Sequence, residues 1–158
     1  MRSITLNGVK LLVYQNGMIL RYSSKNVCCL KIGWNLINGS IDTKGYNQAM
    51  LNGKTYMIHR LIGFAFLELD LNDKKQQIDH IDRNKQNNHL KNLRIVSNQQ
   101  NQWNKNIKGY SLFQGKYKVE IKLNNKRFYL GRYDTEDEAR QAYLDAKALY
   151  HIIPEPPN

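Results

Sequence analysis

Between Ile78 and Asn104 the chain reads IDHIDRNKQNNHLKNLRIVSNQQNQWN. The stretch is polar, rich in Asn and Gln, and free of Gly and Pro. Composition alone would suit a disordered tract. Three features predict a folded unit instead. Ile78 and Ile81 flank a charged pair. Leu90, Leu93, Ile95 and Val96 form a short apolar strand. Ser97 with Gln100 makes an S-x-x-Q capping box that opens a helix to about Asn104. The predicted order is strand, loop, strand, helix.

Towards the C-terminus the pattern becomes regular. From Lys116 onward, Tyr117, Val119, Ile121 and Leu123 point one way, and Lys116, Lys118, Glu120 and Lys122 the other. Asn124-Asn125 makes a turn. Phe128 and Leu130 return on the apolar face, with Arg127 and Tyr129 on the polar one. A period of two over this length predicts a half-buried antiparallel sheet. Thr135 with Glu138 is a T-x-x-E capping box. The helix it opens carries Ala139, Ala142, Tyr143, Ala146 and Leu149 on one stripe. One helix covers one face of the sheet, which leaves the lysine-bearing face outward.

Towards the N-terminus, residues 1–56 read as short strands and turns, with Asn16-Gly17, Asn38-Gly39 and Asn52-Gly53 as hairpin signals. Tyr56–Leu67 suits a short buried helix with His59 and Arg60 near its start. For these two, a phosphate contact and a purely local role stand level. The expected class is α+β. A β-rich module spans residues 1–56, a central unit 57–107, and a three-stranded sheet on one helix 108–151. Residues 152–158 form a frayed tail.

The chain has 158 residues, 24 Lys and Arg against 13 Asp and Glu, and a formal charge of +11. Residues 105–133 alone carry +7, and residues 134–158 carry −4. A merely solvated surface mixes its signs, so the block looks built to meet phosphates. No apolar stretch reaches the ~18 residues of a membrane helix. Met1 to Lys10 lacks the apolar core of a secretion signal. Cys28 and Cys29 are adjacent, which suits neither a loop-closing disulfide nor a Cys-ligated zinc site. They are expected as small, buried or half-buried side chains. An intracellular protein without structural zinc is expected.

Asp79-His80 ends the first strand of the central segment. Asn92 follows His80 by twelve residues and Asn101 by twenty-one. Carboxylate and amide oxygens are hard ligands suited to Mg²⁺ or Mn²⁺, and a neutral imidazole beside such an ion can take a proton from water. With the basic surface, this set suggests phosphodiester hydrolysis. Asn98 and Asn104 rival Asn101 on the same helix. Asp82 reads as a turn residue rather than a ligand.

The quoted segment, with IHRLIGFAF before it, resembles the HNH endonuclease motif of phage and intron homing enzymes. The resemblance implies a ββα-metal fold, His80 as general base, Asp79 as metal ligand, and Asn92 as the central Asn that holds the loop and orients the base. Asn101 stands where the last His of the motif usually sits. That makes an H-N-N variant with Asn101 as second ligand and shifts the implied metal from zinc to Mg²⁺ or Mn²⁺. The segment GKYKVEIKLNNKRFYLGRYDTEDEARQAYLDAKALY resembles an AP2-type DNA-binding domain. This implies DNA contact by Lys118, Glu120, Lys122, Arg127 and Tyr129, and Lys116 and Arg132 are further DNA-binding candidates in the same basic block.

The expected protein is a monomeric, phage- or mobile-element-encoded, metal-dependent endonuclease on double-stranded DNA. The alternative is a DNA-binding regulator with a decayed nuclease motif. A nuclease directed at RNA is a third reading.

Overall fold

The computed structural model describes residues 1–26 and 29–153, so the expectations for Cys28 and for the tail beyond Ile153 fall outside the described residues. Strands and helices mix in several small antiparallel sheets. The chain divides into two compact units, residues 1–98 and 99–153.

The first unit begins with a four-stranded meander of β1 (Arg2–Leu6), β2 (Val9–Val13), β3 (Ile19–Ser23) and β4 (Gly33–Leu36). A three-stranded sheet of β5 (Ser40–Ile41), β6 (Asn47–Leu51) and β7 (Lys54–Met57) follows. Helix α1 (Ile58–Phe66) comes next. Then β8 (Gln77–His80) pairs antiparallel with β9 (Leu93–Val96).

Asn7-Gly8 and Asn52-Gly53 make two-residue hairpin turns, and both members of each pair have positive φ, the mirror-image turn that follows strand twist. Asn16-Gly17 lies in the β2–β3 hairpin, as expected. Asn38-Gly39 does not make a hairpin. It links β4 of the first sheet to β5 of the second, because the strands on its two sides belong to different sheets.

One apolar core serves this whole unit. Val9, Leu11, Val13 and Ile19 of the meander join Ala49 and Leu51, α1 residues Ile58, Leu61, Ile62 and Ala65, and Ile78 and Leu93 of the β8–β9 pair. The strands before residue 57 and the central motif therefore share their buried surface. Cys29 is exposed rather than buried.

Helix α2 (Asn98–Trp103) spans the division between the units. The second unit contains β10 (Tyr110–Phe113), β11 (Lys116–Leu123) and β12 (Lys126–Tyr133) in one antiparallel sheet, followed by α3 (Glu136–Tyr150). Asn124-Asn125 turns β11 into β12 with both φ positive. The Thr135–Glu138 capping box forms in full: Thr135 Oγ1 accepts from the Glu138 amide at 3.3 Å, and Glu138 Oε2 accepts from the Thr135 amide at 3.2 Å.

Val119, Ile121, Ala139, Tyr143 and Ala146 form this unit's core. The apolar stripe is shorter than its pattern suggested. Leu149 is 69% exposed and Phe128 48%, because the cluster buried between helix and sheet ends at Ala146 and Ile121.

Candidate active site

Strand β8 delivers the acid and the imidazole. Asp79 and His80 are both buried, at 6% and 4% exposure, at the end of a strand whose apolar member Ile78 anchors it in the core. Asp79 lies directly across the ladder from Arg94. The Arg94 guanidinium donates from Nε at 3.0 Å and from Nη2 at 2.8 Å to Asp79 Oδ2. Arg94 went unnoticed in the sequence, although the β8–β9 register puts it there. A buried carboxylate needs such a partner.

Asn92 closes the loop between the two strands. Its backbone carbonyl accepts from the Ile81 amide at 2.9 Å, and its Oδ1 accepts from the Asp82 amide at 3.0 Å. Its Nδ2 donates to Asp82 Oδ1 at 2.9 Å and to the Asn87 carbonyl at 2.8 Å. Asp82 also accepts from the Asn84 amide and from Asn87 Nδ2. Its slight burial works to raise its pKa. The bonds from Asn87, Asn84 and Asn92 outweigh that effect and lower it. Asp82 is a loop cap, as the turn reading expects.

His80 Nε2 lies 3.1 Å from Asn88 Oδ1. The His59 ring stands edge-on to His80, with centroids 5.1 Å apart. Tyr46 packs against both rings, and Lys85 Nζ lies 4.8 Å from the centre of the Tyr46 ring. Burial lowers the His59 pKa to about 3, helped by the neighbouring His80 and Arg60, so His59 is neutral near pH 7. Its buried Nδ1 has no hydrogen-bond partner. Arg60 donates to the carbonyls of Gln76, Asp70 and Leu71, tying down the loop after α1. Of the two neighbours left level in the sequence, His59 is beside the imidazole and Arg60 is a structural clamp. Asn101 lies on α2 in the second unit, and Asp79, His80 and Asn92 lie in the first.

The donor chemistry fits a sparsely held hard cation. Asp79 supplies a carboxylate, a hard oxygen ligand, at the buried end of β8. Among the described residues no group of three or more His, Cys, Asp or Glu side chains is placed to hold a metal ion. A hard divalent ion that keeps water and substrate oxygens needs few protein ligands, whereas a closed zinc cage needs four.

In the second unit the outer sheet face carries the basic residues. Across the ladder Lys118 faces Arg132, Lys122 faces Arg127, and Glu120 faces Tyr129. Strict alternation from Tyr129 would turn Arg132 inward. A bulge opposite Val119 and Glu120 skips Leu130 in the pairing and returns Arg132 to the outer face. Lys118 pairs with Glu120 at 2.7 Å and Lys116 with Asp134 at 2.9 Å. A shallow concavity of about 250 Å³ on this face is lined in part by Lys118, Glu120, Lys122 and Arg127.

Residues 69–103 match the HNH endonuclease family, a span that includes the β8–β9 pair, its loop and α2. The central segment is similar to the HNH endonuclease motif. Over 79 residues the chain is 38% identical to a protein of Acanthamoeba polyphaga mimivirus described as an uncharacterised HNH endonuclease. That stretch covers 46% of this chain and 42% of the relative, so the chain spans less than half the relative's length. A solved structure titled for DNA binding and cleavage by the HNH homing endonuclease I-HmuI aligns with a TM-score of 0.44 and 26% identity. The alignment covers 68% of this chain and 62% of that one. The matched residues cover the hairpin, loop and helix that the sequence outlines. No helix among the described residues is long and apolar enough to cross a membrane.

Proposed function

We propose that the chain is a metal-dependent endonuclease of the HNH homing type that hydrolyses phosphodiesters in double-stranded DNA. The observation that carries this reading is the buried Asp79-His80 pair at the end of β8, inside the segment that matches the family. His80 takes a proton from the attacking water. Asn92 holds the loop through its bonds to Asp82, Ile81 and Asn87. Asp79 would hold Mg²⁺ or Mn²⁺, with Asn101 assigned as second ligand from its place in the motif. Such an ion, when bound, supplies positive charge to the scissile phosphate and the leaving oxygen.

The outer face of the C-terminal sheet holds the duplex, in the manner of an AP2-type domain. Its like-charged cross-strand pairs, Lys118 with Arg132 and Lys122 with Arg127, support this. Like charges directly opposite cost stability in a sheet, and a polyanion relieves the cost. The residues assigned to contact are Lys116, Lys118, Glu120, Lys122, Arg127, Tyr129 and Arg132. The protein acts as a monomer inside a host cell, encoded by a phage or another mobile element.

A plasmid-nicking assay with Mg²⁺, Mn²⁺ and EDTA tests the reading. His80→Ala is expected to lower cleavage by about 10² or more, the scale of a lost general base, with DNA binding nearly intact. Supercoiled DNA left intact by the native protein with either metal would favour a DNA-binding regulator with a decayed motif. Preferential cleavage of RNA in competition would move the substrate class.

A further inference from the structure

Four polar or charged residues are buried among those described: His59, Asp79, His80 and Asn88. Asn88 is not among the residues given a role by resemblance, yet its amide is oriented by two bonds. Nδ2 donates to the Gln86 carbonyl at 3.3 Å, so Oδ1 is the atom facing His80 Nε2 at 3.1 Å. An amide oxygen only accepts, so the hydrogen of this bond is on Nε2. In a neutral imidazole the lone pair then resides on Nδ1.

The backbone around Asn88 is held as well. The Leu90 amide donates to the Gln15 carbonyl at 2.7 Å. A Cβ on Gly17 would stand 3.2 Å from the Asn88 carbonyl oxygen, so the loop lies close against the β2–β3 turn. On another side the His59 ring, at 73° to that of His80, limits rotation of the imidazole.

We propose that Asn88 is the positioning residue that fixes the tautomer and ring orientation of His80. The proposal deepens the reading of His80 as the base and rests on it. Asn92 serves the loop, and Asn88 serves the ring.

The test is a long-range ¹H–¹⁵N correlation spectrum of the histidine rings of the full chain, recorded where His80 is neutral and assigned with His80→Ala. The native protein is expected to show the Nε2–H tautomer at His80. Asn88→Ala is expected to lose that preference and to lower kcat roughly 10- to 100-fold with KM nearly unchanged, part of the about 10²–10⁴ a general base contributes. Asn88→Asp keeps an accepting oxygen and is expected to restore the Nε2–H pattern and part of the rate. A purely structural Asn88 would reduce the folded fraction and leave kcat per folded molecule and the tautomer alone.

An Nδ1–H tautomer in the native protein overturns the proposal without any variant having to fold. An unchanged tautomer in folded Asn88→Ala overturns it too. Wild-type cleavage by His80→Ala would remove the base, and with it the catalytic part of the proposal, while the tautomer measurement still reports on the Asn88–His80 bond by itself.

Discussion

Replacing His59 with glutamine should flatten the acid side of the first unit's stability curve. The folded imidazole has a pKa of about 3 against an ordinary 6.5. Between these values the unfolded chain binds a proton that the folded chain refuses. Stability therefore rises with pH, is complete above about 6.5, and falls as the pH drops towards 3. Linkage for one such group gives a loss of about 2 kcal/mol between pH 7 and pH 5. His59→Gln places an uncharged side chain there and removes this share. The substitution also changes packing, but that cost is the same at both pH values.

Urea unfolding at pH 7 and pH 5 in a Trp103→Phe background leaves Trp34 as the reporter, and Trp34 lies in the first unit. The native side chain should lose about 2 kcal/mol more than the variant across that interval. The remaining histidines and carboxylates contribute to both proteins and largely cancel. An equal pH dependence in the two would refute the reasoning, because it would mean that His59 gains its proton within the folded unit.

The proposed DNA-binding face and the second core offer two more tests. Lys122→Ala should reduce the salt slope of duplex binding by about 1. Lys118→Ala should reduce it less, because Glu120 already neutralises that ammonium at 2.7 Å, and Glu120→Gln should tighten binding. Filter binding from low to physiological salt measures all three, and identical slopes would mean these side chains are merely exposed. Gly109→Ala should destabilise the second unit by roughly 1–3 kcal/mol, the scale of overpacking. Its φ is +81° and an added Cβ would fall 2.1 Å from the Tyr143 ring. Thermal unfolding with wild-type stability would mean the glycine site can relax.

Where a local pattern dictates structure, the sequence was legible. The two-residue period from Lys116 to Leu123 became β11, with Val119 and Ile121 buried. The Thr135–Glu138 pair became a capping box. Ile78 and Leu93 to Val96 became the β8–β9 pair, within the segment that matches the HNH family. The bulge was not legible, since alternation cannot announce its own interruption, and without it the outward position of Arg132 had no account. The sharing of one core between the N-terminal strands and the motif was not legible either. Buried faces appear in a sequence as periodicity, but periodicity does not name the face that covers them.

The same division runs through the site. Chain order alone determined that an acid and an imidazole end a strand, with asparagines at fixed distances behind them, because adjacent residues and turn chemistry are local properties. Only the folded chain decided that Arg94 faces Asp79, that Asn88 meets Nε2 of His80, and that His59 packs against the same ring. Those partners come from opposite strands, a loop and a helix. Strand register and core packing bring them together, and neither is encoded by any single stretch of sequence.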